Sequence, residues 1–197
     1  NVTVINSDIL KLDMNELVDV YNGGRPIKVV ANLPYYITTP IIMGLFEGDV
    51  PIDNVTVMVQ KEVADRLSEK PGSKIYGTPS VKLAWYGTAE RVGVIGRNVF
   101  WPAPNVDSAL VLFKRYPGGH TPAADNADGS VVDRETVFRL IDAAFGQRRK
   151  TLHAALKKIV PSEAFEKAGI DPTRRGETLT IDEFVALARA LDEVFAS

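Results

Sequence analysis

The stretch of this sequence best suited to chemistry is Asn32-Leu33-Pro34-Tyr35, which follows a short apolar run. The Asn32 side-chain oxygen and the Leu33 carbonyl, which the following proline holds outward, are two hydrogen-bond acceptors. Tyr35 adds a flat stacking face beside them. Two acceptors next to an aromatic ring suit the exocyclic amino group of a planar base such as adenine. The alternative is an ordinary turn after a strand, with Tyr35 and Tyr36 as core aromatics.

The acceptors would make such an amine reactive. The amine of adenine is a poor nucleophile because its lone pair is delocalised into the ring. Acceptors that bind both amine hydrogens favour the pyramidal form that develops during attack on an electrophile, so they stabilise the transition state more than the ground state. No strong general base is needed, because the product ammonium loses its proton readily.

A strand and a helix must position this stretch. Residues 27–31 are expected to form the strand, and Thr39 is expected to cap a helix that begins at Pro40. Further strands are predicted at residues 2–5, 55–59, 81–86 and 109–113, and further helices at 12–20 and 62–67. Alternating strands and helices predict a parallel α/β sheet, and such sheets bind ligands at the carboxyl ends of their strands.

The second part of the chain has a different character. Turn-forming residues dominate the segment predicted as a linker, 117–131, which separates a domain over 1–116 from a helical domain over 132–197. In the helical part, Asp133 is expected to cap the first helix and Thr180 to form a capping box with Glu183.

Composition excludes several kinds of site. The 197 residues include no cysteine and only two histidines, which excludes disulfides, thiolate zinc sites, cysteine nucleophiles and multi-histidine metal sites. No apolar run reaches the roughly 18 residues that span a membrane. The net charge of −2 leaves a nucleic-acid partner possible, because salt screens charges beyond about 8 Å and a partner meets the local patch.

The densest basic patch follows the first predicted helix of the helical domain. We expect positions 149, 150, 153 and 157 to lie near one another on a helix and to meet phosphates. The alternative is a solvated helix face. The patch, called the basic cluster below, consists of Arg148, Arg149, Lys150, Lys157 and Lys158.

The Asn-Leu-Pro-Tyr stretch resembles the motif of amine methyltransferases that use S-adenosylmethionine. With Tyr36 and Ile37 added, it is similar to the ribosomal RNA adenine dimethyltransferases, which modify two adjacent adenines near the 3′ end of small-subunit RNA. Further segments that resemble this family are residues 7–10, 58–67, 76–81, 99–109 and 145–152.

The resemblance implies a Rossmann-like, S-adenosylmethionine-dependent methyltransferase sheet followed by a small all-helical, RNA-binding domain, in a cytoplasmic protein that acts on the small ribosomal subunit. Asn32, Leu33, Pro34 and Tyr35 would form the target-amine site, and Phe100 would pack on the other side of the base; the alternative for Phe100 is a core phenylalanine before a Pro-x-Pro turn. Asn32 would also lie against the methionine end of the cofactor. Asp8 would bind the adenine amine of the cofactor; the alternative for Asp8 is a helix cap or a turn.

The chain departs from the family pattern at its beginning. The glycine-rich loop after the first strand of the family and the acidic residue after the second have no counterpart here. We therefore expect roughly 60–90 residues, including the first two strands, to be missing, so that this chain alone is inactive and binds the cofactor weakly. The uncovered sheet edge is expected to dimerise or swap with a partner.

Two other functions remain open from the sequence. One is a non-catalytic factor that binds RNA during ribosome assembly, a role that proteins with this fold also have. The other is the similar family that methylates large-subunit RNA and confers macrolide resistance.

Overall fold

The computed structural model describes residues 1–48 and 50–196. Its strands are β1 (Ile27–Asn32), β2 (Ile52–Gln60), β3 (Gly87–Ile95) and β4 (Ser108–Arg115). Its helices are α1 (Met14–Asn22), α2 (Thr38–Glu47), α3 (Lys61–Leu67), α4 (Thr78–Tyr86), α5 (Arg134–Gly146), α6 (Leu152–Leu156), α7 (Ser162–Ala168) and α8 (Ile181–Phe195).

The packing divides the chain into two compact units. The sheet unit holds Asn1–Ala64 and Ala89–Arg115, and the helical unit holds Asp65–Thr88 and the residues from Tyr116 onward. Part of the segment predicted as a linker is packed within the helical unit, since Ala124 is fully buried. The assignment of residues 1–116 and 132–197 to a catalytic and an RNA-binding domain stays a prediction.

The sheet has the strand order β1-β2-β4-β3. A helical crossover through α2 makes β1 parallel to β2, with Asn32 beside Met58, whereas β4 runs antiparallel to β2. The prediction of a parallel sheet is therefore confirmed for β1 and β2 and wrong for β4, so the sheet is mixed. Phe46 of α2 packs edge-to-face on Phe113 of β4, with ring centres 5.8 Å apart, which holds the crossover helix on the sheet.

The position of β1 at the edge of this sheet leaves part of it exposed. Val30 of β1 is 81% exposed, whereas Val55, Val57 and Val59 of the neighbouring β2 are fully buried. The predicted strand at residues 2–5 does not form, and its side chains are exposed.

The prediction of a strand at residues 81–86 is wrong, because these residues belong to α4. Large apolar residues alternate along this segment as they would in a strand. In the helix, however, the buried residues are Ser80, Val81, Leu83, Trp85 and Tyr86. The Ser80 hydroxyl accepts from the Gly77 N–H at 3.2 Å and so satisfies a free donor at the helix start.

The sequence patterns also missed β3. This strand contains glycine, charged residues and few large apolar side chains, and most of its positions are exposed or half-buried. It lies at the other edge of the sheet, where an apolar pattern is not required.

The caps predicted for α5 and α8 are confirmed. The Asp133 carboxylate accepts from the Thr136 N–H at 2.8 Å, and Thr180 and Glu183 bond each other reciprocally. Arg174 also donates to both Glu183 oxygens, at 2.5 and 3.1 Å. The Arg174 bonds, together with the capping bonds from Thr180, lower the pKa of the Glu183 carboxyl.

The cap predicted for α2 is wrong. The chain enters α2 at Thr38 rather than Pro40, so Ile37 occupies the cap position expected for Thr39.

Within residues 1–48 and 50–196, no helix is both long enough and apolar enough to cross a membrane.

The lowered pKa of Glu183 predicts a pH-dependent contribution to stability. A carboxyl whose pKa is lower in the folded state stabilises the fold above its usual value of 4.5, and this contribution is lost as the pH falls through the folded pKa. We expect Glu183→Gln to lower the free energy of unfolding by about 1–3 kcal/mol at neutral pH and by less below about pH 4.

Urea unfolding at several pH values measures this difference. Glu163→Gln, which changes an exposed carboxylate in the first turn of α7, is the matched control and should have little effect. An equal loss for Glu183→Gln at pH 7 and at pH 3.5 would contradict the prediction.

Candidate active site

The loop that follows β1 is fixed by backbone hydrogen bonds. The Leu33 N–H donates to the Met58 carbonyl at 3.1 Å, which continues the pairing with β2 beyond the end of the strand. The Pro34 carbonyl then accepts from the Ile37 N–H at 3.3 Å and from the Thr38 hydroxyl at 3.1 Å. These bonds set the direction in which the chain leaves β1 and enters α2.

The same loop presents two acceptors that are available for a ligand. Among the residues that the structure describes, neither the Asn32 side-chain oxygen nor the Leu33 carbonyl accepts a hydrogen bond. Asn32 is exposed, whereas the side chain of Leu33 is buried and anchors the loop. The geometry therefore leaves unpaired the two groups that the sequence suggested as acceptors.

Tyr35 is held by a buried partner on another strand. Its phenolic oxygen lies 3.0 Å from the Ser108 hydroxyl oxygen, and Ser108 is fully buried at the start of β4. Tyr35 itself is 38% exposed, and Tyr36 is 85% exposed. Neither tyrosine is a core residue, so the alternative of an ordinary strand-to-helix turn with core aromatics does not describe this loop.

A second loop, residues 96–107, carries Phe100 to the same site. The Asp107 carboxylate accepts from the Arg97 N–H at 3.0 Å, and the Arg97 guanidinium donates to the Asn105 carbonyl at 3.0 Å. At the end of the loop, the Asp107 carbonyl accepts from the Lys61 N–H at 2.9 Å. These bonds brace the loop at its base, and Phe100 is half-buried on it.

The two loops enclose one open pocket within the sheet unit. Its volume is about 450 Å³, which falls in the usual range for small-molecule sites. The four residues predicted for the target-amine site line it, and so does Phe100. The complete lining is Asn32, Leu33, Pro34, Tyr35, Met58, Phe100, Trp101, Pro102 and Pro104.

Asp8 lies outside this pocket lining. One of its oxygens accepts from the Leu10 N–H at 3.0 Å and caps the short 3-10 turn Ile9–Lys11, as its local alternative suggested. That turn lies close to α2, the helix that follows the Asn32 loop. Asp8 is exposed, so its role toward a cofactor stays a prediction.

The basic cluster lies in the helical unit, but its residues do not share one helix. Arg149 and Lys150 are in the turn between α5 and α6, and Lys157 and Lys158 are in the turn after α6. The expectation of one basic helix face is therefore wrong. These four residues are exposed, and across residues 1–48 and 50–196 the structure gives their side chains no hydrogen-bond or ion-pair partner.

Arg148 differs from the other members of the basic cluster. Its guanidinium donates to the backbone carbonyls of Lys74 and Tyr76 and to the Glu177 carboxylate. These contacts join three segments of the helical unit, so Arg148 has an internal structural role as well as an exposed side chain.

The sequence did not single out every residue of the site. Met58 and Trp101 of the pocket lining, and Ser108, the partner of Tyr35, lie within segments that resemble the family, but their types alone carry no chemical signal. For Ser108, the available signal was its position directly before the predicted strand at residues 109–113. Only the pairing of β4 beside β2 brings Ser108 to Tyr35.

Comparison with known proteins identifies the family. A family model described as ribosomal RNA adenine dimethylase matches residues 1–193. The chain belongs to this family. The family prediction is therefore confirmed.

Two relatives from this family share most of the chain. Ribosomal RNA small subunit methyltransferase A of Bifidobacterium adolescentis is 81% identical over 194 residues, which are 98% of this chain and 64% of the relative. The protein of the same name from Bifidobacterium longum strain NCC 2705 is 65% identical over 195 residues, which are 97% of this chain and 63% of the relative. The chain thus spans less than two thirds of their length.

A solved structure shows the fold of the family. The crystal structure of a dimethyladenosine transferase from Plasmodium falciparum superposes with a TM-score of 0.69 at 22% identity. The alignment covers 84% of this chain and 66% of that chain. The predicted methyltransferase fold class is therefore confirmed.

The Tyr35 contact generates a prediction for the free energy of unfolding. Tyr35→Phe leaves the buried Ser108 hydroxyl without its partner, which should cost about 1–3 kcal/mol. The double variant Tyr35→Phe/Ser108→Ala removes both polar groups and should recover part of that loss. Denaturant unfolding of the two single variants and the double variant measures the coupling energy.

Tyr36→Phe is the matched control, because Tyr36 is the exposed neighbour of Tyr35. It should change the free energy of unfolding by less than about 0.5 kcal/mol. Additive effects of the two substitutions in the cycle would show that the two hydroxyls do not interact.

Proposed function

We propose that the protein containing this chain transfers methyl groups from S-adenosylmethionine to the exocyclic amines of two adjacent adenines near the 3′ end of small-subunit ribosomal RNA. The observation that carries the proposal is that the acceptors on Asn32 and Leu33, beside an aromatic pocket, have no hydrogen-bond donor within residues 1–48 and 50–196. The names of the two relatives favour the small subunit over the large-subunit alternative.

The proposed chemistry depends on the geometry of the two acceptors. The Asn32 oxygen and the Leu33 carbonyl each accept one hydrogen of the amine, which localises the nitrogen lone pair and directs it away from the ring. Because this pyramidal form is close to the transition state, the contacts strengthen as the amine attacks. The extra proton of the product leaves to water.

Two aromatic side chains are proposed to hold the target base. Removing a base from its stack costs a few kcal/mol, and each base–aromatic stack returns roughly 1–3 kcal/mol. Tyr35 and Phe100 both line the pocket and come from different loops. Stacking on both rings is sufficient to offset the extrusion of one adenine, whereas a single ring offsets it only in part.

Two residues of the sheet unit, Asn32 and Asp8, are suited to contact S-adenosylmethionine. When bound, this cofactor would supply an electrophilic methyl group, and its sulfur would keep the electron pair of the broken bond as a thioether. We propose that Asn32, which is exposed at the carboxyl end of β1, lies against its methionine end, and that the Asp8 carboxylate accepts from its adenine amine. That residues 1–197 by themselves do not methylate RNA stays a prediction.

The other proposed partner surface is the basic cluster of the helical unit. Arg149, Lys150, Lys157 and Lys158, which have no partner among the described residues, are exposed and therefore available to phosphates. We also propose that a second copy of the chain pairs along the outer edge of β1. This pairing is supported by the exposed Val30 and by the edge position of the strand.

The test of the proposed function is methyl transfer to small ribosomal subunits that lack the modification. In the protein that contains this chain, Asn32→Ala should lower the rate of methylation about 100- to 1,000-fold, because an acceptor for the developing charge is lost. Binding to the subunits should change less than about twofold, since Asn32 contributes to the reaction more than to RNA affinity.

Asn98→Ala is the matched control, since Asn98 is exposed and does not line the pocket. Methylation that survives Asn32→Ala would contradict the proposed site. Binding to immature subunits by an unsubstituted protein that transfers no methyl group would instead establish the alternative of an assembly factor.

A separate prediction concerns the basic cluster. Lys157→Gln/Lys158→Gln should weaken binding to small-subunit RNA and reduce the slope of log affinity against log salt by about 1–2, because two phosphate contacts are lost. Filter binding over a range of salt concentrations measures both quantities.

Lys28→Gln/Lys114→Gln removes the same charge from exposed positions on two strands of the sheet unit. This control variant should leave the slope within about 0.5 of the unsubstituted value. If both double variants lower the slope equally, RNA responds to net charge rather than to this surface.

A further inference from the structure

Trp101 is the most exposed aromatic side chain of the pocket. It is 98% exposed, whereas the other tryptophan of the chain, Trp85, is 3% exposed. A single exposed apolar residue needs no explanation by itself. Trp101, however, lines the same pocket as Asn32 and Tyr35 and follows Phe100 directly in the chain.

The loop presents Trp101 on a braced backbone. Arg97 ties the start of the loop to Asp107 and Asn105, and the Phe100 N–H donates to the Arg97 carbonyl at 3.3 Å. Pro102 follows Trp101 and restricts the backbone further. The indole ring is thus exposed, although the backbone that carries it is held in place. Little backbone entropy is therefore lost when a ligand covers the ring.

The chemistry of RNA supplies a ligand for this ring. A base that leaves its stack to enter the pocket also deprives its neighbour of a stacking partner. An exposed aromatic ring at the pocket compensates for that loss with any base, because every base has a π face. A role in stacking on a neighbouring base accounts for the exposure of the Trp101 ring, whereas Phe100, the residue before it, is half-buried.

We propose that Trp101 forms a second base-binding subsite, in which its indole stacks on the nucleotide adjacent to the one whose base enters the pocket. The ligand is an unpaired base of single-stranded RNA. The inference rests on the proposed function, because it requires a target base between Tyr35 and Phe100.

The test compares four labelled RNAs of about eight nucleotides by fluorescence anisotropy with the protein that contains this chain. The first has a single central adenine as the target base, and the second has an abasic ribose in place of that adenine. The third and the fourth have an abasic ribose in place of the neighbour on the 5′ side and on the 3′ side of the target, so that both possible neighbours are examined. The protein variants are Trp101→Ala, Trp101→Phe, Tyr35→Ala and Val99→Ala.

Trp101→Ala should weaken binding of the complete RNA about 5- to 150-fold. It should change binding of the RNA with the abasic neighbour by less than about twofold, because the stacking partner is already absent. Trp101→Phe, which retains a ring, should recover most of the affinity. Val99→Ala removes another exposed apolar side chain of the same loop and should leave all affinities unchanged.

The outcomes separate this inference from the proposed function. The subsite at Trp101 is overturned if Trp101→Ala weakens binding equally for RNAs with and without the neighbouring base. The proposed function still stands in that case if Tyr35→Ala weakens binding only when the target base is present. If the unsubstituted protein does not distinguish an adenine target from an abasic one, the proposed function fails, and this inference fails with it.

Discussion

The candidate site depends on the parallel register of β1 on β2. This register places Asn32 beside Met58 and continues through the hydrogen bond from the Leu33 N–H to the Met58 carbonyl. A shift of one residue would exchange the two faces of β1 and turn Asn32 away from the pocket. The Leu33 N–H is paired, whereas its carbonyl has no partner in the part of the chain that the structure describes, so the loop is held in place and still has an acceptor for a ligand.

The second loop, residues 96–107, is held in the same way. Backbone and carboxylate bonds at Arg97 and Asp107 hold its base, while Phe100 and Trp101 keep their rings available. The buried Ser108 hydroxyl then orients Tyr35 from β4. Polar groups that would be costly to bury alone are bonded to one another, whereas the Asn32 side-chain oxygen and the Leu33 carbonyl have no partner among the residues that the structure describes.

The basic side chains of the helical unit are of two kinds: some are bonded within the unit, and others are exposed and available to a partner. Arg148 and Arg174 are bonded to carboxylates and backbone carbonyls inside the unit. Arg149 and Lys150 lie on an exposed turn without such partners among the described residues. The net charge of −2 describes the sum of both groups, which is why it is a poor guide to the partner that the surface would bind.

Local signals were enough to predict β1, α2 and the caps of α5 and α8, since an apolar strand and a side-chain cap depend on neighbouring residues. The order of residues also determined the pair of acceptors at Asn32 and Leu33 and the family to which the chain belongs. Strand pairing, by contrast, is a long-range property. It decided that β3 forms from a weakly apolar segment and that the sheet is mixed. Only the tertiary structure brought Ser108 to Tyr35 and Trp101 to the pocket, because these residues are far apart in the chain and meet through the packing of separate strands and loops.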